Sequence, residues 1–401
     1  MSMKEFRFEV LHEDKKSRAR VGVIQTRCGC IDTPHFVPVA TLASVRALGS
    51  DDLAALGVQC LLTNAYHLHL KPGDELIKAL GGLHRFMAFE RPIISDSAGF
   101  QAFSLGFGRE HNIAKIGSIF PGGRESEEKR ENLTRITDDG IHFKSAFDGT
   151  WCFLDPKSSM TIQANLGSEI IMAFDECTSP LSDYEYTKRA MERTHTWAGL
   201  SLQHHDREQA IYGIIQGGWF EDLRRESAAF ITALPFDGIA IGGSLGNSKR
   251  DMHQILEWIV PELDERPRHL LGIGELEDLF ECVERGIDTF DCVTPTRLAR
   301  RGNVLISPEA GGTPENKFRI TIKAGQYKDD WRPIDPHCTC PTCQSYSRAY
   351  LRHLYTTSEL AYFRLATIHN LHFMLRLMEL IRASIITGSF ARLKQQWLKS
   401  G

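Results

Sequence analysis

Eight short apolar segments, rich in β-branched residues, alternate with segments of helical periodicity along the first three quarters of the chain. The apolar segments cover 37–41, 61–64, 93–96, 170–175, 212–217, 239–243, 270–274 and 289–293. The helical segments cover 51–56, 75–80, 160–166, 183–203, 222–233, 251–260 and 276–284. Continuous apolar strands that alternate with helices are typical of a parallel sheet buried on both faces. Eight such units favour an α/β fold of the (β/α)8 TIM-barrel type over an open sheet.

Two further segments flank the predicted barrel. Residues 1–36 predict an N-terminal antiparallel β extension, with strands over 6–11 and 21–26, that plugs the barrel bottom. Residues 306–401 predict a zinc-binding and helical C-terminal subdomain. The chain is therefore expected to be one large barrel domain with an addition at each end.

The barrel, expected over 37–305, is interrupted by an insertion at about 104–156. Its first part is a charged, glycine-rich loop at 118–132, to which the sequence assigns no role. Its second part alternates in polarity over 140–153 and predicts a β-hairpin that turns at Asp148-Gly149.

Composition narrows the class of protein. The chain of 401 residues carries a net charge of -4, but residues 296–401 hold 16 Lys and Arg against 7 Asp and Glu, or +9, which leaves -13 for the remainder. A basic part on an acidic body favours a polyanionic partner. No apolar run approaches the length of a membrane span, and residues 1–9 lack the apolar core of a signal peptide, so we expect a cytoplasmic protein without a membrane partner.

Three of the ten cysteines form a cluster, and the other seven are scattered as expected of small core residues in a reducing compartment. The spacing of Cys338, Cys340 and Cys343 lets one turn present three thiolates to a single tetrahedral ion, which predicts a zinc site. Spacing alone leaves four candidates for the fourth ligand: His337, His353, His369 and His372.

Polar residues or glycines end nearly every predicted strand, namely Asn64, Asp96, Asp175, Gln216, Gly243, Gly274 and Asp291. In a barrel these strand ends converge on the face where active sites are built. Two carboxylates such as Asp96 and Asp291 suit displacement at an anomeric carbon, in which one attacks and the other manages the proton of the leaving group. Asp175 could bind substrate, although a single Asp at such a turn is also typical of a helix N-cap.

Several longer motifs lie in collinear order from about residue 6 to the C-terminus. They are Thr63-Asn64-Ala65-Tyr66-His67-Leu68, Asp96-Ser97-Ala98-Gly99-Phe100-Gln101, Phe174-Asp175-Glu176-Cys177-Thr178, Gly213-Ile214-Ile215-Gln216-Gly217, Asp291-Cys292-Val293-Thr294-Pro295-Thr296-Arg297, the cysteine cluster and Thr367-Ile368-His369-Asn370. This set resembles the tRNA-guanine transglycosylases, whose fold is a (β/α)8 barrel with a zinc-bearing subdomain.

The resemblance implies a pentosyltransferase that acts in queuosine modification of tRNA. Members exchange guanine at the anticodon wobble position of GUN-type tRNAs (Asp, Asn, His and Tyr) for a 7-deazaguanine, queuine or preQ1, through a covalent aspartyl-ribose intermediate. The implied partners are these tRNAs, the free base and a second copy of the chain in a homodimer.

The resemblance also implies roles for individual residues. Asp291 looks like the nucleophile and Asp96 like the general acid/base. The base-binding set implied is Asp96, Ser97, Ala98, Gly99, Phe100, Asp175, Gln216, Gly243 and Leu271. The RNA-binding set implied is Gly272, Gly274, Glu275, Asp278, Thr296, Arg297, Arg300 and Arg301. The Thr-Ile-His-Asn match selects His369, which gives a closed Cys3His site for one structural Zn2+ ion.

The chain departs from the family pattern at two informative places. Ala98 stands where Gly is usual, a methyl group that should be tolerated unless the backbone there needs positive φ. The loop 242–246 is short and ends in glycine, as in chlamydia-like enzymes that salvage queuine, and a small wall could admit the bulky queuine substituent. Cys177, however, is typical of enzymes that use preQ1, so the base preference leans only slightly to queuine.

Two other functions remain open at this stage. One is a non-catalytic RNA-binding subunit, which the presence of Asp291, Asp96, Asp175 and Gln216 argues against. The other is a relative that acts on another nucleic acid, such as the archaeal tRNA D-arm enzyme, which usually carries an additional C-terminal RNA-binding domain.

Overall fold

The computed structural model describes residues 5–99, 134–145 and 147–398. Its strands are β1 (Arg7–Glu13), β2 (Arg20–Thr26), β3 (Gly29–Thr33), β4 (His35–Pro38), β5 (Leu61–Thr63), β6 (Ile93–Ser95), β7 (Thr134–Ile136), β8 (Ile141–Lys144), β9 (Trp151–Leu154), β10 (Ile170–Met172), β11 (Ala210–Ile215), β12 (Gly238–Ile241), β13 (Arg268–Leu270), β14 (Thr289–Cys292), β15 (Asn303–Leu305) and β16 (Arg319–Thr321). Its α-helices are α1 (Ser50–Ala55), α2 (Ala65–Leu70), α3 (Asp74–Ala79), α4 (Gly82–Met87), α5 (Pro156–Leu166), α6 (Tyr184–His204), α7 (Glu221–Ala233), α8 (Lys249–Ile259), α9 (Leu276–Glu284), α10 (Thr294–Arg300), α11 (Pro341–Ser345), α12 (Arg348–Thr356), α13 (Leu360–Ile386) and α14 (Phe390–Leu398).

Eight parallel strands form the barrel in the order β4-β14-β13-β12-β11-β10-β6-β5. A parallel bridge between Val39 and Leu62 closes the circle, and the Ala40 N–H donates to the Leu62 carbonyl at 2.7 Å. All eight predicted strand segments overlap these strands, which confirms the (β/α)8 barrel. The predicted segment 170–175 is longer than β10, because the chain leaves the ladder after Met172 and turns toward the barrel mouth.

The N-terminal sheet β1-β2-β3 is antiparallel and supplies apolar side chains to the barrel interior. Ile24 and Ile31 are buried in the same cluster as Ile170 and Tyr212, which begin or lie in barrel strands. The predicted plug is therefore present, with a third strand, β3, that the apolar pattern did not indicate. A buried ion pair fixes it, since Arg20 donates to Asp288 just before β14 at 2.7 Å.

The described part of the insertion is a small antiparallel sheet, β7-β8-β9. Its β8-β9 pair is the predicted hairpin with the turn at Asp148-Gly149, and the loop 118–132 lies outside the described residues. Two hydrogen bonds tie the sheet to α6: Trp197 Nε1 donates to the Asp138 carbonyl at 2.7 Å, and Arg193 donates to the Asp138 carboxylate at 3.0 Å. The insertion is thus anchored to the outside of the barrel.

Helix starts in the barrel follow local capping chemistry. Asp155 caps the N-terminus of α5: its carboxylate accepts the Ser158 N–H, and Pro156 occupies the first turn. Ser248 caps the N-terminus of α8 and forms a reciprocal capping box with Asp251. These short-range signals set where each β-to-α loop ends and so the length of the loops at the barrel mouth.

The C-terminal segment forms a separate hydrophobic cluster around the cysteines of the predicted zinc site. Cys340 and Cys343 pack there with Val304, Leu351 and Tyr362. α13 packs against α10 and β4, and its later turns join the main cluster around the barrel. Among the described residues, none of the helices combines the length and apolar character needed to cross a membrane. The domain boundaries at 36 and 305 stay a prediction.

Candidate active site and metal centre

Four polar side chains that were predicted from strand ends lie at the C-terminal ends of the barrel strands. Asp96 follows β6 directly, Asp175 follows β10 by three residues, Gln216 follows β11 and Asp291 lies near the end of β14. All four are buried, with at most 9% of their surface exposed. Because parallel strands end on one face, residues distant in sequence meet at this mouth.

Asp175 and Gln216 form the centre of one polar group. Gln216 Nε2 donates to Asp175 Oδ2 at 2.7 Å, and the Ser97 hydroxyl donates to Asp175 Oδ1 at 2.9 Å. Gly243 lies directly against Gln216, since a Cβ there would overlap Gln216 Oε1, and a Cβ at Gly99 would lie 2.5 Å from the Asp175 carbonyl. Burial, with a smaller contribution from the charge of Glu176, raises the pKa of Asp175 to about 6 against the hydrogen bonds from Ser97 and Gln216, which lower it. Of the predicted base-binding residues, this group unites five.

Asp96 follows β6, the strand next to β10, and is held by donors from the β5–α2 turn and from Ala98. Its Oδ1 accepts the N–H of Ala65 at 2.8 Å and that of Ala98 at 3.3 Å, and Oδ2 accepts from the Asn64 amide. Burial raises the pKa of Asp96 to about 6 against these donors, and the charge of Asp291 adds to the rise. A carboxyl with a pKa near neutrality can both give and take a proton.

Ala98 has φ = +69°, in the left-handed region that favours glycine. The extra methyl group was expected to be tolerated unless the backbone needed positive φ, and the backbone here does have positive φ. This position therefore carries backbone strain of about 1–2 kcal/mol. The conformation brings the Ala98 N–H back onto Asp96 Oδ1, so the strain accompanies the placement of a candidate acid/base group.

Asp291 has a different environment. Its Oδ1 accepts the Gly272 N–H at 2.9 Å and lies 3.2 Å from His269 Nε2. Gly272 was predicted as an RNA contact, and here its amide also orients the predicted nucleophile. His269 was missed because it lies just before the apolar segment predicted over 270–274, and the structure places it within β13.

Arg224, on α7, is a second residue that was missed. It is fully buried and donates to four backbone carbonyls, those of Ile215 (3.1 Å), Gly218 (2.6 Å), Gly242 (3.0 Å) and Ser244 (2.8 Å). Burial lowers its pKa to about 10. One guanidinium thus fastens the loops after β11 and β12, which carry Gln216 and Gly243. The amphipathic pattern of a helix gives no sign of such a contact.

The loop 242–246 owes its shape to packing on both sides. Leu245 is buried in the main hydrophobic cluster, and a Cβ at Gly246 (φ +87°) would overlap Asp251 of the α8 capping box. The Ser244 hydroxyl is buried without a hydrogen-bond partner among the described residues. Leu271 is half-buried beside Gly242, and Phe100, which was also predicted to bind the base, lies outside the described residues.

The predicted RNA-binding residues divide into two groups. Arg297, Arg300 and Arg301 lie on or just after α10 and are partly exposed or exposed, whereas Thr296 and Asp278 are buried at 3% exposure. Asp278 and Glu275 accept from Lys249 at 3.0 and 3.1 Å. A Cβ at Gly274 would overlap Cys292, so this glycine permits close packing. Thr296, Asp278 and Gly274 therefore lie beneath the surface, whereas the side chain of Glu275 is 45% exposed.

Arg46 adds a fourth guanidinium that the sequence reasoning missed. It lines a cavity of about 590 Å³ together with Arg300, Phe363 and Arg364. Burial lowers the pKa of Arg300, and the charges of Arg46, Arg297 and Arg301 lower it further. Like charges held together at a partly exposed surface are stabilised when an anion binds.

Cys338, Cys340, Cys343 and His369 form a group that could hold one metal ion. His369 Nδ1 lies 3.7, 3.5 and 3.3 Å from the three sulfurs in that order. Ligands around tetrahedral zinc are separated by about 3.5 Å when the bond lengths are about 2.3 Å to sulfur and 2.05 Å to nitrogen. His369 Nε2 lies 2.7 Å from the Leu305 carbonyl, an acceptor that fixes the proton on Nε2 and leaves Nδ1 free for the metal.

Cys28, His84 and Glu169 also lie within ligand distance of one another. Arg27 donates to Glu169 at 2.8 Å, so this carboxylate already has a cationic partner. The group has the character of an ion-pair network at the barrel bottom.

Comparison with known proteins gives one consistent result. The family model described as queuine tRNA-ribosyltransferase matches residues 14–401. A putative queuine tRNA-ribosyltransferase of Archaeoglobus fulgidus is 57% identical over 389 residues, which are 95% of this chain and 96% of that protein. Queuine tRNA-ribosyltransferases of Roseiflexus sp. and Symbiobacterium thermophilum are 44% identical, over 98% of this chain and 98% and 91% of their own lengths. The similarity extends over nearly the whole chain in each case.

Proposed function

Because the chain belongs to the queuine tRNA-ribosyltransferase family, and is thus a pentosyltransferase of tRNA modification, we propose that it exchanges guanine at the wobble position of GUN-type tRNAs for a 7-deazaguanine. One observation carries the proposal. Asp96 and Asp291 lie at the barrel mouth beside a polar group, Asp175 and Gln216, that matches the hydrogen-bonding edge of a guanine-like base. An ionised Asp175 accepts from the ring N1–H and the 2-amino group, and the Gln216 amide donates to O6.

In the proposed reaction Asp291 Oδ2 attacks C1′ of the target nucleoside. The Oδ2–C1′ bond forms as the C1′–N9 bond to guanine breaks, and the departing base takes a proton at N9 from Asp96. In the second half the incoming base gives its N9 proton to Asp96 and attacks C1′, which returns Asp291 as a carboxylate. A pKa of about 6 suits Asp96 to both directions.

The RNA is proposed to lie across the arginines beside the mouth. Arg297, Arg300 and Arg301, with Arg46 next to them, would contact phosphates or unstacked bases of the anticodon loop. The target base must leave its stack to reach Asp175. A homodimer, expected from the resemblance, stays a prediction that the molar mass in solution tests.

We propose one structural zinc ion at the Cys3His group. Four protein ligands fill a tetrahedral site, so no position is open for water or substrate. The ion would hold α11 against α13, and α13 packs on α10, which carries two of the arginines. Zinc would therefore support folding and RNA binding, and Asp291 and Asp96 would carry the chemistry.

Trapping of the covalent intermediate tests the proposed mechanism. Incubation with a GUN-type tRNA should give a protein–RNA adduct that survives denaturing electrophoresis and releases its RNA when a 7-deazaguanine is added. Asp291→Asn should abolish the adduct, and the exposed Asp206→Asn should leave it unchanged. An adduct that persists in Asp291→Asn would refute the nucleophile assignment. The absence of adduct and exchange in the unaltered protein would favour a non-catalytic RNA-binding subunit.

For the incoming base we propose a slight preference for queuine. Leu245 is directed into the core and Gly246 adds no side chain, so the loop 242–246 presents a small wall, with the unpartnered Ser244 hydroxyl next to Gly243. Competition of queuine and preQ1 for displacement of labelled guanine from tRNA tests this. Equal or faster exchange with preQ1 would refute the preference and leave the transferase function intact.

A further inference from the structure

His269 lies against the predicted nucleophile in the barrel interior. Strands β13 and β14 are parallel neighbours, and His269 pairs in register with Thr289. Thr289 and Asp291 are two residues apart on β14 and therefore point to the same side. The imidazole spans both: its Nδ1 lies 2.8 Å from Thr289 Oγ1, and its Nε2 lies 3.2 Å from Asp291 Oδ1.

The contacts fix which hydrogen of the ring faces Asp291. Because an ionised Asp291 offers only acceptors, His269 Nε2 carries a hydrogen and donates it to Oδ1. On the opposite side of the ring, His269 Nδ1 lies within hydrogen-bond distance of the Thr289 hydroxyl, which can donate or accept. The ring is completely buried, so it has little freedom to leave this position.

The two oxygens of Asp291 are consequently unequal. Oδ1 accepts from both His269 and the Gly272 N–H, whereas Oδ2 has no protein donor within the described ranges. Two donors on one oxygen fix the rotation of the carboxylate and leave Oδ2 as the free nucleophile. When the Oδ2–C1′ bond forms, Oδ1 becomes the carbonyl oxygen of the aspartyl ester and keeps both donors. When the incoming base breaks that bond, both donors stabilise the negative charge that returns to the carboxylate.

We propose that His269 is a positioning residue for Asp291, held by Thr289, that sets the rate of both glycosyl-transfer steps. The inference rests on the proposed function, since it requires Asp291 to be the attacking group. His269 does not touch the substrate, so its removal should change rates and leave the affinities for base and tRNA nearly unaltered.

The test compares three variants in single-turnover reactions with a GUN-type tRNA. His269→Phe removes the donor, and adduct formation should slow by about 10- to 100-fold with base KM within about twofold, because a misplaced reacting group loses rate steeply. His269→Gln keeps an N–H near the Nε2 position and should restore most of the rate. Thr289→Val leaves His269 in place but removes its anchor, and should give a smaller loss in the same direction.

Different outcomes test the positioning role of His269 and the nucleophile role of Asp291. Wild-type adduct rates in a folded His269→Phe protein would overturn the positioning role, as would an equal loss in His269→Phe and His269→Gln proteins with wild-type thermal stability. An adduct in Asp291→Asn would instead refute the nucleophile assignment. If His269→Phe fails to fold, recovery by His269→Gln and the partial loss in Thr289→Val still decide the question.

Discussion

Gln216 Nε2 donates to Asp175 Oδ2 at 2.7 Å across the ends of two adjacent barrel strands. This contact gives the buried carboxylate a neutral partner, so its charge is not cancelled by a cation. The pKa of Asp175 is consequently raised to about 6 by burial. The same carboxylate then has a protonation state that changes just below neutral pH.

The raised pKa of Asp175 predicts a pH dependence of base binding. Only the ionised carboxylate accepts from N1–H and the 2-amino group, so affinity for a 7-deazaguanine should be full above pH about 6 and should fall about tenfold per pH unit below it. Calorimetric titration of the base at pH 5 to 8 measures this. Asp175→Asn should bind weakly with no such slope, whereas Asp96→Asn should retain the slope. A flat affinity between pH 5 and 8 in the unaltered protein would contradict the role of Asp175.

The contact between Gly243 and Gln216 predicts a specific effect of one methyl group. Gly243→Ala should raise the base KM at least tenfold, because its Cβ would displace the Gln216 amide. The control is Gly57→Ala, which has a similar φ (+72° against +78°) but open space around the Cβ position. Both should lose about 1–2 kcal/mol of stability through left-handed strain. Equal KM values in the two variants would show that Gly243 does not border the base.

Most of the barrel could be predicted from sequence because most strands coincide with an apolar run that ends in a polar residue or a glycine. Those ends also located Asp96, Asp175, Gln216 and Asp291, since parallel strands finish on one face. What could not be predicted are contacts made by residues whose local pattern is ordinary. His269 lies just before its predicted apolar segment, and its partner Asp291 is 22 positions away in sequence.

The metal site shows the same limit in another form. The spacing of the cysteines identified three ligands, but four histidines were compatible with the sequence as the fourth. The choice of His369 depends on which face of α13 meets β15, and the sequence spacing does not show this. Ala98 differs again, because its left-handed φ contradicts the local propensity of a non-glycine residue and accompanies a hydrogen bond to Asp96.

Arg224 provides a prediction about the support of the base-binding loops. Arg224→Met would remove the guanidinium from four buried carbonyls, of which that of Ile215 still accepts the Gly242 N–H, and the free energy of unfolding should fall by about 3 kcal/mol or more. Arg224→Lys keeps the charge but cannot reach all four carbonyls, so it should fold, lose less stability and raise base KM more than it lowers kcat. Urea unfolding and exchange kinetics measure the two effects.

Arg225 is the matched control on the same helix. It is partly exposed, pairs with Glu221 and Glu262 at the surface and donates to the single carbonyl of Trp258, so Arg225→Lys should change neither unfolding nor base KM noticeably. A base KM in Arg224→Lys equal to that of Arg225→Lys would mean that the loops hold Gln216 and Gly243 without the buried guanidinium.

His369 and His372 lie one turn apart on α13, but only His369 is expected to bind the metal ion. His369 Nδ1 meets the three sulfurs, whereas His372 lies beside Thr339 at 3.4 Å and was an equal candidate by sequence. Purified protein should contain one zinc per chain by elemental analysis. His369→Ala should lose it and His372→Ala should keep it. Because a structural zinc contributes folding energy directly, His369→Ala should lose on the order of 5 kcal/mol or more of stability.

The position of the ion relative to α10 adds a functional consequence. Partial loss of zinc by chelation should weaken tRNA binding, because α13 supports the helix that carries Arg297 and Arg300, and should leave base affinity unchanged, because Asp175 and Gln216 belong to the barrel. Measurement of tRNA and base affinities on the same chelated sample checks this separation. Equal loss of both affinities would mean that the ion supports the barrel mouth as a whole. Full zinc occupancy in His369→Ala would assign the fourth ligand to another residue.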